Sequence, residues 1–159
     1  MSLWSRILVP LDGSKLAERA IPVAAELSRL TGAKLELLWV IDLSSKDRFG
    51  DFGLSYDYEM MDKAIEEERK LANAYLSDRA RGLGEGHLVA TRIVSGIAAK
   101  EIVRLTHGGD LIVMATHGRT GIKRLLIGSV AEEVLRHAVV PIVLVRAFEG
   151  GPRSTVATT

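Results

Sequence analysis

Five short apolar runs, separated by stretches of helical spacing, constrain this chain more than any other feature. The first, residues 6–11 (RILVPL), is continuous in branched aliphatics and bounded by Asp12 and Gly13, the pattern of a strand buried on both faces. Residues 33–41 (AKLELLWVI) alternate and then become wholly apolar, and residues 87–94 (HLVATRIV) alternate in part. Residues 110–115 (DLIVMA) and 139–145 (VVPIVLV) complete the set. Pro141 cannot donate to a ladder, so the last run is expected at a sheet edge or where pairing changes.

Helical patterns fill the intervals. Ser14 is placed to cap a helix whose apolar positions Ala17, Ala20, Ile21, Ala24 and Leu27 recur on one side, with Gly32 as its stop. Pro22 inside that pattern predicts a kink or a weak first turn. Further helices are expected over 57–81, 97–107 and 130–137. Residues 42–56 repeat with no period and read as a long loop, either a lid or binding segment or a mobile insertion. Strand and helix in regular alternation, with buried strands, call for an α/β fold: an open five-stranded parallel sheet with helices on both faces.

With 159 residues, 47% of them hydrophobic and 26% charged, the chain suits one domain, expected over residues 1–147, with an unpatterned tail at 148–159 read as disordered. Lysine and arginine number 21 against 20 acidic residues, a net charge of +1 that gives no basis for bulk binding to nucleic acid or anionic membrane. No cysteine is present, which excludes disulfides and thiolate chemistry. Asp12 interrupts the first apolar run too early for a signal peptide or membrane span, so a cytoplasmic location is expected. A hydrophobic edge strand at 139–145 needs cover, and the same strand of a second copy supplies it, which predicts a homodimer.

Chemistry concentrates where strands end. After Ala115 the chain enters a loop carrying His117, Gly118, Arg119, Gly121, Lys123 and Arg124, and closes on Gly128 and Ser129 as a helix begins. Small residues let a backbone approach a phosphate, and the unpaired N–H groups of a helix start favour negative charge. Two other loops, Asp12 to Ser14 and Ser95 with Gly96, also leave strand ends. In open parallel sheets ligands bind beyond those ends where the strand order reverses, so the three loops are expected to form one cleft.

These residues resemble the universal stress protein family. The resemblance rests on Pro10-Leu11-Asp12-Gly13-Ser14, residues 38–40, Val94-Ser95-Gly96, and above all Met114-Ala115-Thr116-His117-Gly118-Arg119, followed nine residues after Gly118 by Gly128-Ser129. It implies a Rossmann-like fold of the adenine nucleotide alpha hydrolase-like kind, and a site for ATP, or for ADP or AMP, with magnesium or manganese bridging the phosphate oxygens. Asp12 would meet the ribose or adenine, with Pro10 and Val40 walling the base beside Leu11. Met114 and Ala115 would line the adenosine. Gly118, Arg119, Gly128, Ser129 and Val130, with His117 beside them, would surround the phosphates. The family's nucleotide-binding branch has glycine where this chain has Ala115, a substitution that preserves close approach where φ is not positive. Trp39 replaces a histidine common among relatives.

The implied function is an ATP-binding regulatory protein of the stress response. The alternatives are a slow ATP hydrolase or phosphotransferase using His117 or Ser129, and a fold relative that does not bind ATP. The sequence lacks a paired carboxylate, an evident general base and a Walker-type Gly-Lys-Ser/Thr stretch, so no catalytic residue is assigned.

Overall fold

Buried aliphatic strands alternating with helices favour parallel pairing, and the structure, a computed structural model, places five strands in one parallel sheet. It describes residues 3–44, 58–84, 88–116 and 127–146. The strands are β1 (Arg6–Leu11), β2 (Lys34–Asp42), β3 (Val89–Gly96), β4 (Asp110–Ala115) and β5 (Ile142–Val145). The helices are α1 (Lys15–Glu18), α2 (Ala20–Thr31), α3 (Tyr58–Gly82), α4 (Ala98–Arg104) and α5 (Ser129–His137). The strand order is β3-β2-β1-β4-β5, so the direction of travel reverses between β1 and β4. β1 stays in register with β2 as far as Leu11↔Trp39, whereas its register with β4 runs from Arg6↔Asp110 to Leu8↔Ile112.

Side-chain alternation splits the core into two layers. Ile7, Val9, Leu11, Leu37, Trp39 and Val113 pack under Ala17, Ala20 and Ala24 of the first two helices and Ala72 and Leu76 of α3. Leu8, Leu38, Ile112 and Met114 face the other way, against Ala99 and Ile102 of α4 and Ala131 and Val134 of α5. Helices thus cover both faces, as the apolar runs require.

Most elements fall where periodicity puts them, and the shifts have local causes. The helix expected from Ser14 to Gly32 is broken at Arg19. Pro22 has no N–H for the Glu18 carbonyl and its ring crowds that group, so a new helix starts with Pro22 in its first turn, where no donor is needed. Gly32 ends α2 in the left-handed region at φ 73°, its N–H bonded to the Ser28 carbonyl at 2.8 Å. β5 is an edge strand as expected, but it starts at Ile142 rather than residue 139. Pro141 still accepts a hydrogen bond from the Ile112 N–H at 3.0 Å and has none to return. The 42–56 loop, apart from residues 42–44, and the 148–159 tail lie outside the described residues. Among the described residues no helix is long and apolar enough to cross a membrane.

At the amino ends of the strands lies a buried ionic cluster. The Arg6 guanidinium bonds both Asp110 oxygens, Glu36 Oε2 at 3.1 Å and the Leu105 carbonyl at 2.6 Å, while Arg92 pairs with the other Glu36 oxygen. The His107 N–H donates to Asp110 Oδ2 at 2.8 Å. Burial pushes the Asp110 carboxyl up, but the Arg6 hydrogen bonds, the His107 N–H and the positive charge of Arg6 outweigh it and hold the group below the usual 3.8. A carboxyl that ionises more readily when folded stabilises the fold above about pH 4, and that contribution is lost as the pH falls through the native value. Asp110→Asn should therefore lower the unfolding free energy at pH 7 by about 1–3 kcal/mol. The gap between variant and native protein should narrow at pH 3, as read by urea unfolding at the two pH values.

Candidate functional site

The carboxyl ends of β1 and β4 flank the reversal of strand order, where an open sheet offers a crevice. Alternation decides which side chains face it. Pro10, Val40 and Met114 lie in phase with Leu8, Leu38 and Ile112, on the face covered by α4 and α5. Val40 and Val130 pack against the cluster that contains Met114, so three strand ends and the first turn of α5 supply one apolar wall. Leu11 and Ala115 have the opposite phase, and Leu11 belongs to the core beneath α1 and α2, so their side chains turn away from that wall. Ala115 closes β4 in extended conformation, where alanine costs no strain. Trp39 also points to the opposite face from Val40: it is 5% exposed, and its indole Nε1 donates to Glu68 Oε1 at 3.1 Å.

The turn after β1 is built by its own polar residues. Asp12 Oδ1 accepts the Ser14 N–H at 2.9 Å, Gly13 sits at φ 81°, and Ser14 Oγ caps α1 by accepting the Ala17 N–H at 3.1 Å. Asp12 thus holds the turn that leaves the crevice.

Across the crevice, β4 is tied to the start of α5. Thr116 donates its N–H to Val145 at 2.9 Å and accepts the Gly128 N–H at 2.6 Å. The first bond of α5 runs from the Glu132 N–H to the Gly128 carbonyl at 2.9 Å. The N–H groups of Ser129, Val130 and Ala131 have no partner within the helix, and Gly128, as N-cap, has no side chain to accept from them. Together with the helix dipole they form a positive terminus beside the end of β4. Gly128 lies at φ −62° and ψ 152°, open to any residue, so the position does not demand glycine for its backbone. His117, Gly118, Arg119, Gly121, Lys123 and Arg124 lie outside the described residues.

The carboxyl ends of β1 and β4 are neighbours in the sheet, and residues 117–126 of the loop that follows β4 lie outside the described residues. Ser95 and Gly96 do not join these ends directly, because β2 intervenes and two strand spacings amount to about 10 Å. The Gly96 carbonyl accepts the Leu43 N–H at 3.0 Å, and Ser95 Oγ lies 3.4 Å from Arg69 Nη2.

Sequence reading also missed a polar network on the α3 face. The Tyr75 hydroxyl donates to Glu18 Oε1 at 3.1 Å, its ring meets Trp39 edge-on at 5.4 Å, and the Arg79 guanidinium lies 5.2 Å over it. Burial, reinforced by the Glu18 charge, pushes the Tyr75 phenol above its usual 10 and keeps it protonated. A cavity of about 620 Å³ opens beside this network, lined by Glu18, Ile21, Pro22, Arg79 and Leu83 among others, on the opposite side of the sheet from the crevice. No spacing in the sequence announces these contacts, since Glu18 and Tyr75 stand 57 residues apart.

The universal stress protein family model matches residues 4–146. The chain belongs to the universal stress protein family. It is 31% identical over 147 residues to universal stress protein MJ0531 of Methanocaldococcus jannaschii, covering 91% of this chain and 84% of that one. Universal stress protein MJ0577 of the same organism is 32% identical over 156 residues, covering 91% and 96%. The solved MJ0577 structure superposes with a TM-score of 0.75 at 30% identity, covering 93% of this chain and 99% of that one. A universal stress protein crystallised in complex with cAMP shares the fold, with a TM-score of 0.59 at 22% identity and coverage of 93% and 100%.

Proposed function

We propose that this universal stress protein binds an adenine nucleotide, ATP or its di- or monophosphate, in the crevice between the ends of β1 and β4, and acts as a homodimeric regulator rather than as a strong catalyst. The observation that carries the reading is the Gly128–Thr116 hydrogen bond. It holds the start of α5 against the end of β4, beside the reversal of strand order. An anion has backbone donors there, and the apolar wall of Pro10, Val40, Met114 and Val130 suits a flat base and its sugar. The cAMP complex of a protein with the same fold supports an adenine ligand.

In this reading Pro10 and Val40 wall the base, Leu11 and Ala115 contribute backbone, and Asp12 accepts from the ribose or adenine while holding its turn. The Ser129 and Val130 N–H groups and the Ser129 hydroxyl meet the phosphates, since the Gly128 N–H is already given to Thr116. Gly128 serves by having no side chain in the way. His117, Gly118 and Arg119 complete the phosphate cradle, and magnesium or manganese neutralises the phosphates when bound. The nucleotide stabilises one state of the protein and so biases a partner's response.

The dimer forms through the β5 edge. Pro141 and Val145 turn their carbonyls to β4, so in a parallel ladder Ile142 and Leu144 present their backbone groups outward. The Ile142 and Leu144 side chains pack on the core, and Val139, 91% exposed, flanks the edge.

Titration calorimetry with ATP and magnesium should show saturable binding by the native chain and none by Gly128→Val, with circular dichroism unchanged; equal affinity would remove the site. Asp12→Ala should weaken binding by about 1–3 kcal/mol. Normal affinity with a lower melting temperature would reduce Asp12 to a turn residue. Leu144→Pro removes an outward donor while sparing the ladder to β4, and it should halve the mass found by light scattering. An unchanged mass would exclude this edge as the interface.

A further inference from the structure

α1 is a single turn set between the Asp12–Ser14 turn and the break that Pro22 imposes at Arg19. One turn does not hold itself, because nucleation fixes several dihedrals for one hydrogen bond, so its place must come from ties to its surroundings. Ser14 Oγ on the Ala17 N–H is internal to the segment, and Ala17 buries only a methyl group. Glu18 reaches further. Its Oε1 accepts the Tyr75 hydroxyl at 3.1 Å and lies 3.5 Å from Arg79 Nε, while its Oε2 lies 3.3 Å from Lys15 Nζ in the same turn. Tyr75 is in turn fixed by its edge-on contact with Trp39 and by the Arg79 guanidinium above its ring, and Trp39 is held to Glu68. The chain of contacts runs from the body of α3 and from β2 into α1, and α1 begins where the Asp12 turn ends.

We infer that Tyr75 is a positioning residue for the nucleotide site: its hydrogen bond to Glu18 anchors α1 and thereby sets the Asp12–Ser14 turn at the carboxyl end of β1. The inference rests on the reading of the crevice as a nucleotide site. A hydroxyl donating to a carboxylate is stronger than a bond between neutral groups, and a one-turn helix passes on any loosening of its end to the turn that precedes it.

The test is ATP–magnesium calorimetry with parallel thermal melting on the native chain, Tyr75→Phe, Glu18→Ala, Glu18→Gln and the Tyr75→Phe/Glu18→Ala double variant. Tyr75→Phe should raise Kd about 3- to 10-fold, the range expected for one hydrogen bond. Glu18→Ala should do at least as much, and the double variant no more than Glu18→Ala, because both changes break the same link. Glu18→Gln keeps an oxygen that accepts from Tyr75 and should stay within about 3-fold of native. A role confined to stability would lower the melting temperatures and leave Kd unmoved, and that outcome overturns the inference, as does full additivity in the double variant. If the native chain itself binds no adenine nucleotide, the site falls and the inference with it; native binding alongside an unaffected Tyr75→Phe sinks the inference alone.

Discussion

Arg6 is the pin on which the sheet turns. Its guanidinium joins β1 to Glu36 on β2 and Asp110 on β4, and it reaches the Leu105 carbonyl just after α4. Taking these charges out of water is costly, and well-packed apolar groups often serve stability as well as buried ion pairs do. What the charges add is register. Arg6 stands opposite Asp110, and a slip of one residue would turn every core side chain of β1 to the wrong face while leaving buried charges unmatched. With the amino ends held this way, the opposite ends of β1 and β4 flank the reversal of strand order, so the ionic cluster and the proposed site lie at opposite ends of one strand pair.

The fold was largely legible in the sequence because its signals are local. Buried aliphatic runs mark parallel strands, Gly32 marks a helix end, and Pro141 marks an edge, each through the chemistry of a few neighbouring residues. The break at Arg19 was half legible: Pro22 announced a disturbance, but its position followed from the carbonyl that lost its donor. The Arg6 cluster was not legible, since its partners lie 30 and 104 residues away and each charge alone reads as the boundary of an apolar run.

For the site, the glycine-loop spacing pointed to the end of β4, and the tie between Gly128 and Thr116 lies there. Alternation then separates roles that a linear motif leaves merged. Val40 packs on the layer beneath α4 and α5 while its neighbour Trp39 enters the opposite core layer, and Leu11 and Ala115 likewise turn their side chains away from Val40's layer. Ser95 and Gly96 were grouped with the other loops because all leave strand ends, but distance across a sheet depends on strand order, which no single βαβ unit encodes. The Glu18–Tyr75 link was hidden for the same reason as the Arg6 cluster.

The brevity of β5 limits what its edge can do. With four residues, two of which turn their backbone groups inward to β4, the edge exposes the donors and acceptors of Ile142 and Leu144 alone. An extended peptide drifting onto it would gain too few hydrogen bonds to offset its own ordering, so the edge is a poor template for indiscriminate strand addition. A partner must bring matching side-chain contacts as well, and shortness itself becomes a filter on what associates with this sheet.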